Sequence, residues 1–219
     1  MKNIIYILLI SFFICSEYSE KYYDAMDKAL ELFESGESED DFLKASNQFY
    51  RISQVVKTDW LSSYYYAFCN TKISMLQEDS DIKELYLDKA FAILTPFDNL
   101  ESQLVDSLAL SEINTLKAMI YIGKIFINPM VNGMKYGPLS GRSIERAKSL
   151  YPENPRPYYL DGQSKFYTPS AFGGGSDVAR PELEKSIKYY EIFIAKKYWP
   201  NWGKEDCQYL YNKVLNDVE

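Results

Sequence analysis

Apolar residues recur along most of this chain at the spacing of an α-helix. No segment after the first apolar run alternates convincingly between apolar and polar residues, so the pattern argues against strands. Four stripes instead put apolar side chains on one face of a helix. The stripes are Phe42, Ala45, Phe49, Ile52 and Val56; Ile82, Tyr86, Ala90, Ile93 and Phe97; Ala109, Ile113, Leu116, Ile120, Gly123 and Ile127; and Leu183, Ile187, Tyr190 and Ile194.

Proline and glycine residues divide this pattern into pairs of helices, because both residue types interrupt helical segments. The sequence therefore predicts an all-α fold built from helical hairpins, in a single domain that covers residues 17–219. We predict helix pairs near residues 20–57, 59–97, 105–150 and 156–197, followed by a final helix near 204–217.

The last two hairpins share an internal repeat. Gly123 and Gly162 are 39 residues apart, longer than the ~34 residues of a tetratricopeptide unit. In the first of these hairpins, Ser140, Ile144 and Ala147 are spaced by four and then three residues, and Pro152 follows. This order of small and apolar residues resembles the second helix of a tetratricopeptide repeat (TPR). The resemblance implies a TPR-like helical-hairpin solenoid with an extended binding surface. The same spacing separates Ser140 from Ala179, Ile144 from Leu183, and Ala147 from Ser186.

The chain also resembles a group of exported, TPR-like bacterial proteins of similar length. The likeness is specific at three stretches, residues 154–163, 167–175 and 200–203. A fourth stretch of the group is matched only in part, because Asn128 and Asn132 replace a charged Asp and Arg. The resemblance implies a fold and a compartment, and it implies no established chemistry.

Composition narrows the classes of function. The chain contains no histidine, which removes His-dependent acid–base catalysis, Ser–His and Cys–His nucleophiles and most catalytic zinc sites. Its net charge of −7 argues against nucleic acid as a partner and against binding to anionic membrane surfaces. We therefore predict that the protein is not an enzyme and that it uses no catalytic residue, metal or cofactor.

The N-terminus predicts export. Lys2 precedes the apolar run IIYILLISFFIC, which is too short to span a bilayer as a permanent helix. We interpret residues 1–16 as a signal peptide and the mature protein as periplasmic, without a membrane span. Cys15 raises lipoprotein attachment as an alternative, although Ile14 stands where a small residue is wanted. The remaining Cys69 and Cys207 are compatible with a disulfide or with two buried thiols.

A run of three glycines near residue 174 suggests a phosphate-binding loop at first sight. No lysine follows Gly175 and no strand precedes the run, so neither a P-loop nor a dinucleotide fingerprint is present. The glycines are better explained by a tight turn, after which Ser176 and Asp177 cap the next helix.

Two long loops at equivalent repeat positions, residues 127–138 and 167–178, form the predicted binding region. Insertions of this kind emerge on one face of a solenoid, where they either wall a pocket or seal the core. Arg156 and Tyr159, in the turn and helix between the loops, complete the candidate set. The loop candidates are Asn132, Met134, Lys135, Tyr136, Phe172, Gly173, Gly174 and Gly175.

The function that this pattern favours is non-catalytic binding. The first hypothesis is a protein that binds or scaffolds a protein or peptide partner in the cell envelope. The alternative is a small-molecule binding protein, associated with transport, that uses the two loops. Trp199 and Trp202 are expected to cover the apolar edge of the last hairpin.

Overall fold

The structure, a computed structural model, describes residues 20–97 and 106–217. Within those ranges it contains nine α-helices, two short 3-10 segments at residues 95–97 and Ser170–Phe172, and no strand. The predicted all-α fold of helical hairpins is confirmed, while the predicted signal peptide lies outside the described residues. The α-helices are α1 Glu20–Glu34, α2 Glu39–Val55, α3 Trp60–Leu76, α4 Ser80–Leu94, α5 Ser107–Ile127, α6 Pro129–Leu150, α7 Pro155–Tyr167, α8 Ser176–Ile192 and α9 Lys204–Asn216.

Side-chain caps fix where most of these helices begin. Ser38 and Asp41 form a capping box at α2. Asp59, Asp79 and Asp106 cap α3, α4 and α5 by accepting bonds from free backbone N–H groups. The start of each of these helices is therefore set by local chemistry.

The start of α8 differs from the prediction. Its N-cap is Gly175, and no side chain caps the helix. The hydroxyl of Ser176 instead donates to a carboxylate oxygen of Asp217 over 2.5 Å, and Asp177 pairs with Arg180 over 3.2 Å. The predicted caps are wrong because both residues already lie inside the helix.

Consecutive helices pack against each other, and α3, α5 and α7 also contact one another in order. These three helices form a central row through the array. Two clusters of buried apolar residues lie on either side of α5. Met119 and Trp202 pack against both clusters, so the array shares a continuous interior.

The predicted loop over residues 127–138 is wrong. Helix α5 ends at Ile127 and α6 begins at Pro129, so Asn128 is the single residue between them. Asn128 caps α6, and Pro129 occupies the first turn, where its missing N–H costs nothing. Pro138 lies inside α6, which shows that the proline and glycine residues of this stretch do not mark a turn.

A C-terminal strap, residues 193–203, connects α8 to α9 by crossing to the first half of the array. The ring of Tyr198 stacks on Tyr23 of α1 at 5.8 Å between centroids. Trp199 makes an edge contact with Trp60 of α3 at 4.8 Å. The prediction that both tryptophans cover the last hairpin is wrong for Trp199, which the strap carries to α3, whereas Trp202 packs against both clusters.

Candidate functional site

A cavity of about 470 Å³ lies where the central row meets the strap. Its volume falls within the range of small-molecule sites. Its walls come from α3, α4, α5, α7 and the segment that leads into α9, so no single hairpin contains it. Most of the lining is apolar, with Phe68, Leu87, Met119, Ile122, Leu160 and Trp202 as the main side chains.

Trp202 is held in a fixed position on the wall of this cavity. Its indole N–H donates to the hydroxyl of Tyr64 over 2.8 Å, and its ring lies 5.4 Å from that of Phe68. Its backbone carbonyl accepts bonds from Arg156 Nε at 3.1 Å and from the Tyr190 hydroxyl at 3.0 Å. Because both its indole N–H and its backbone carbonyl are hydrogen-bonded, Trp202 presents a rigid flat surface to the cavity.

Arg156 supports the wall without facing the cavity. The side chain is fully buried, pairs with Glu112 at 2.8 Å and donates to the carbonyl of Pro200 over 2.5 Å. Burial raises the pKa of Glu112, and the Arg156 guanidinium opposes that shift. Because a buried charge needs a partner, the pair locks the strap onto α5 and α7. Glu112 lies 44 positions from Arg156 along the chain, so no local motif indicates this pair.

The polar groups of the cavity are few. Gln163 donates to the hydroxyl of Tyr159 over 3.2 Å. Burial raises the pKa of Tyr159 well above its usual value, so this hydroxyl is protonated at neutral pH. Lys72 and Lys83 also line the cavity, and Asp206 contributes a carboxylate. The site therefore combines apolar walls with a small set of polar groups that can orient a ligand.

The mouth of the cavity carries two large exposed apolar side chains. Met75 at the end of α3 is 56% exposed, and Phe126 at the end of α5 is 59% exposed. Both residues belong to the lining. Apolar side chains that remain in water at the entrance of an apolar cavity gain burial when a ligand arrives.

A second recess, of about 640 Å³, lies between α1 and the strap. Its lining includes Tyr22, Tyr23, Tyr198 and Trp199, and it is more open to solvent than the first. A ligand in this recess would keep more of its surface in water. The more enclosed cavity is therefore the better candidate for a small molecule.

Among the predicted binding residues, Tyr159 lines the enclosed cavity and the others do not. Met134 and Phe172 point into solvent, with 82% and 81% of their surfaces exposed. Asn132 donates to the carbonyl of Lys124 over 2.8 Å within the α5–α6 turn.

Two further candidates lie side by side on α6. Tyr136 is buried and stacks on Tyr121, with ring centroids 6.0 Å apart. Lys135 is exposed, and its ammonium lies 4.7 Å from the centre of the Tyr136 ring. Both belong to a helix rather than to the loop that the sequence suggested.

The three glycines make the turn into α8. Gly173 and Gly175 have positive φ angles of 83° and 113°, which favour glycine. A Cβ atom on Gly174 would lie 1.9 Å from the carbonyl oxygen of Thr168, so only glycine fits there. The predicted tight turn is thus present and explains each glycine without a phosphate.

Sequence reasoning missed most of the cavity. Phe68, Lys72, Met119, Phe126 and Trp202 come from two helices and the strap, one or two residues from each. No local motif joins them, because a helical stripe reports only that a residue is apolar.

Within the described ranges, no group of three His, Cys, Asp or Glu side chains is arranged to hold a metal ion. No helix in these ranges has the length and apolar character needed to cross a membrane.

Comparison with solved structures shows a similarity that extends over most of the chain. The chain is similar to the solved structure of the HusA haemophore from Porphyromonas gingivalis, with a TM-score of 0.77 and 29% sequence identity. The similarity covers 90% of this chain and 94% of that chain. No protein-family model and no curated protein matches the chain. Membership of the TPR family accordingly stays a prediction, while the all-α architecture is shared with a bacterial ligand-binding protein.

Proposed function

We propose that this protein is an exported, non-catalytic carrier that binds a porphyrin-type molecule such as haem in the cavity between the central row and the strap. The observation that carries the proposal is the similarity to a haemophore along nearly the whole chain. The enclosed cavity at the centre of the array supplies a place for such a ligand.

The chemistry of the cavity suits a flat, largely apolar molecule. Phe68 and Trp202 offer aromatic surfaces, and aromatic groups prefer offset-stacked or edge contacts. Met119 adds a flexible side chain that fits irregular shapes. The chain has no histidine, and the cavity lining offers Met75, Met119 and Tyr159 as side chains of types that bind haem iron in other proteins.

The geometry gives less support to a peptide groove. The strap contacts α1 and α3 through its aromatic side chains and is pinned to α5 and α7 through Arg156. An extended peptide that follows the central row would have to displace these contacts. A protein partner that docks elsewhere on the surface stays a prediction.

Titration with haemin, followed by its absorbance in the Soret band and by quenching of tryptophan fluorescence, tests the proposal. The informative variants are M75A and F126A at the mouth of the cavity. Each removes apolar contact worth about 1 kcal/mol and should weaken haemin binding roughly fivefold. Their matched controls are M134A and F172A, which replace the same residue types at exposed positions outside the cavity.

The outcomes separate the candidate sites. Weaker binding in M75A and F126A with unchanged binding in M134A and F172A supports the cavity. The opposite pattern would move the site to the α5–α6 and α7–α8 turns that the sequence suggested. Absence of saturable haemin binding to the unmodified protein would overturn the proposal.

Export is part of the proposal and is tested separately. It is supported by the apolar run of residues 4–15 and by the similarity to a haemophore. Fractionation of cells that express the full chain should recover a protein shortened by about 16 residues outside the cytoplasm. Recovery of the full-length chain in the cytoplasm would contradict this part of the proposal.

A further inference from the structure

Two lysines of the enclosed cavity lack anionic partners. Lys72 on α3 and Lys83 on α4 both line the cavity and are half-buried. Within residues 20–97 and 106–217, neither makes an ion pair within 4.0 Å, and the ammonium of Lys72 lies 5.6 Å from the centre of the Phe68 ring. The cavity thus contains two cations that make no salt bridge with any residue in the described part of the chain.

This arrangement differs from that of other buried or half-buried lysines in the array. Lys124 pairs with Asp88 across α4 and α5. Lys148 and Lys165 share the carboxylates of Asp161 and Glu182. The fold therefore provides partners where lysines have a structural role, which sets the two cavity lysines apart.

The charge balance of the cavity also opposes that of the whole chain. Its lining holds two lysines and a single carboxylate, Asp206. Asp206 belongs to α9, which packs on α7 and α8, whereas the lysines belong to α3 and α4. In a chain with a net charge of −7, this is a local excess of positive charge beside apolar walls. Such a site attracts a ligand that is apolar in its body and anionic at its edge.

We infer that Lys72 and Lys83 select ligands that carry carboxylate groups on an apolar ring system, and that they bind those carboxylates at the α3–α4 side of the cavity. The inference rests on the proposed function and deepens it, because it assigns the part of the ligand that determines specificity. Charge-assisted hydrogen bonds from lysine to carboxylate are stronger than neutral ones, and they gain strength beside a low-dielectric wall.

The test compares haemin with its dimethyl ester, which has the same ring system without the two negative charges. We expect the unmodified protein to bind haemin about tenfold more tightly than the ester. The double variant K72Q/K83Q should lose this preference by weakening haemin binding about tenfold while leaving ester binding unchanged. The control K135Q removes a lysine that is exposed on α6 outside the cavity and should keep the preference.

Each outcome has a defined meaning. Equal affinity of the unmodified protein for haemin and its ester would overturn this inference and leave the proposed function standing. Equal loss of affinity for both ligands in K72Q/K83Q would also overturn it, since the lysines would then act through the shape of the cavity. Absence of binding to either compound would overturn the proposed function itself. The preference should also decrease as salt is added, because salt screens partly exposed charges.

Discussion

Replacement of Gly162 by alanine tests the close packing of α7 against α8. A Cβ atom at this position would lie 2.6 Å from Cγ of Leu183 and 2.7 Å from its Cδ2. Leu183 is fully buried, and the contacts would fall on its Cγ as well as on the end of its side chain. Overpacking of this kind costs about 1–3 kcal/mol, whereas alanine gains about 1 kcal/mol of helix propensity over glycine. We expect G162A to lose roughly 0–2 kcal/mol of the free energy of unfolding.

Gly141 provides a matched control for this substitution. It is exposed on α6, and a Cβ atom there would meet nothing within 4 Å. G141A should therefore gain about 1 kcal/mol from helix propensity alone. Because both variants share that gain, the difference between them, about 1–3 kcal/mol, isolates the steric cost at Leu183. Urea unfolding followed by circular dichroism measures the free energy of unfolding of both variants. Equal values for G162A and G141A would refute the close packing of Gly162 against Leu183.

Three further predictions concern buried and charged groups. Burial raises the pKa of Cys207 to about 11 and also raises that of Cys69, so a thiol reagent at pH 8 should label neither residue before unfolding; rapid labelling of the folded protein would contradict this. E112Q leaves the buried Arg156 guanidinium without its counter-charge and should lower the free energy of unfolding in urea by about 3–5 kcal/mol. A decrease below about 1 kcal/mol would argue that this ion pair does not hold the strap in place. The hydrogen bond from Lys196 lowers the pKa of Asp106, so its stabilisation is present above about pH 4 and is lost as the pH falls through the lower folded pKa. Between pH 5 and pH 3, the free energy of unfolding should thus fall less in D106N, which keeps a capping side chain, than in the unmodified protein. Identical pH profiles of the two proteins would contradict a stabilising role of the Lys196–Asp106 pair.

The helices could be predicted because their determinants are local. The capping residues Ser38, Asp59 and Asp106 stand directly before apolar stripes, and their side chains bond to N–H groups two or three residues away. The misreading of residues 127–138 has the same local origin. Pro129 and Pro138 suggested a loop, although a proline in the first turn is compatible with a helix, and the exposed surface of α6 tolerates the second.

The candidate site was largely beyond sequence reasoning because its residues are distant along the chain. The bond between Trp202 and Tyr64 joins residues 138 positions apart. Lys72 and Lys83 look like ordinary solvated lysines in the sequence, and only their place on the cavity wall distinguishes them. Of the two predicted binding residues near the inter-hairpin turn, Tyr159 lines the cavity, whereas Arg156 is a buried support for the strap.

The sequence by itself determined that this chain is an array of helical hairpins and, apart from residues 127–138, roughly where its helices lie. It also placed Gly123 and Gly162 at equivalent positions. Only the tertiary structure decided what those glycines accommodate. Gly162 makes room for Leu183 in its own hairpin, whereas Gly123 makes room for Leu87 in the preceding one. The physical reason is the distance along the chain between interacting residues. Helical hydrogen bonds and caps join residues a few positions apart, so the local sequence specifies them. The cavity and the strap depend on how successive hairpins stack, and that relation emerges only when the whole chain is packed.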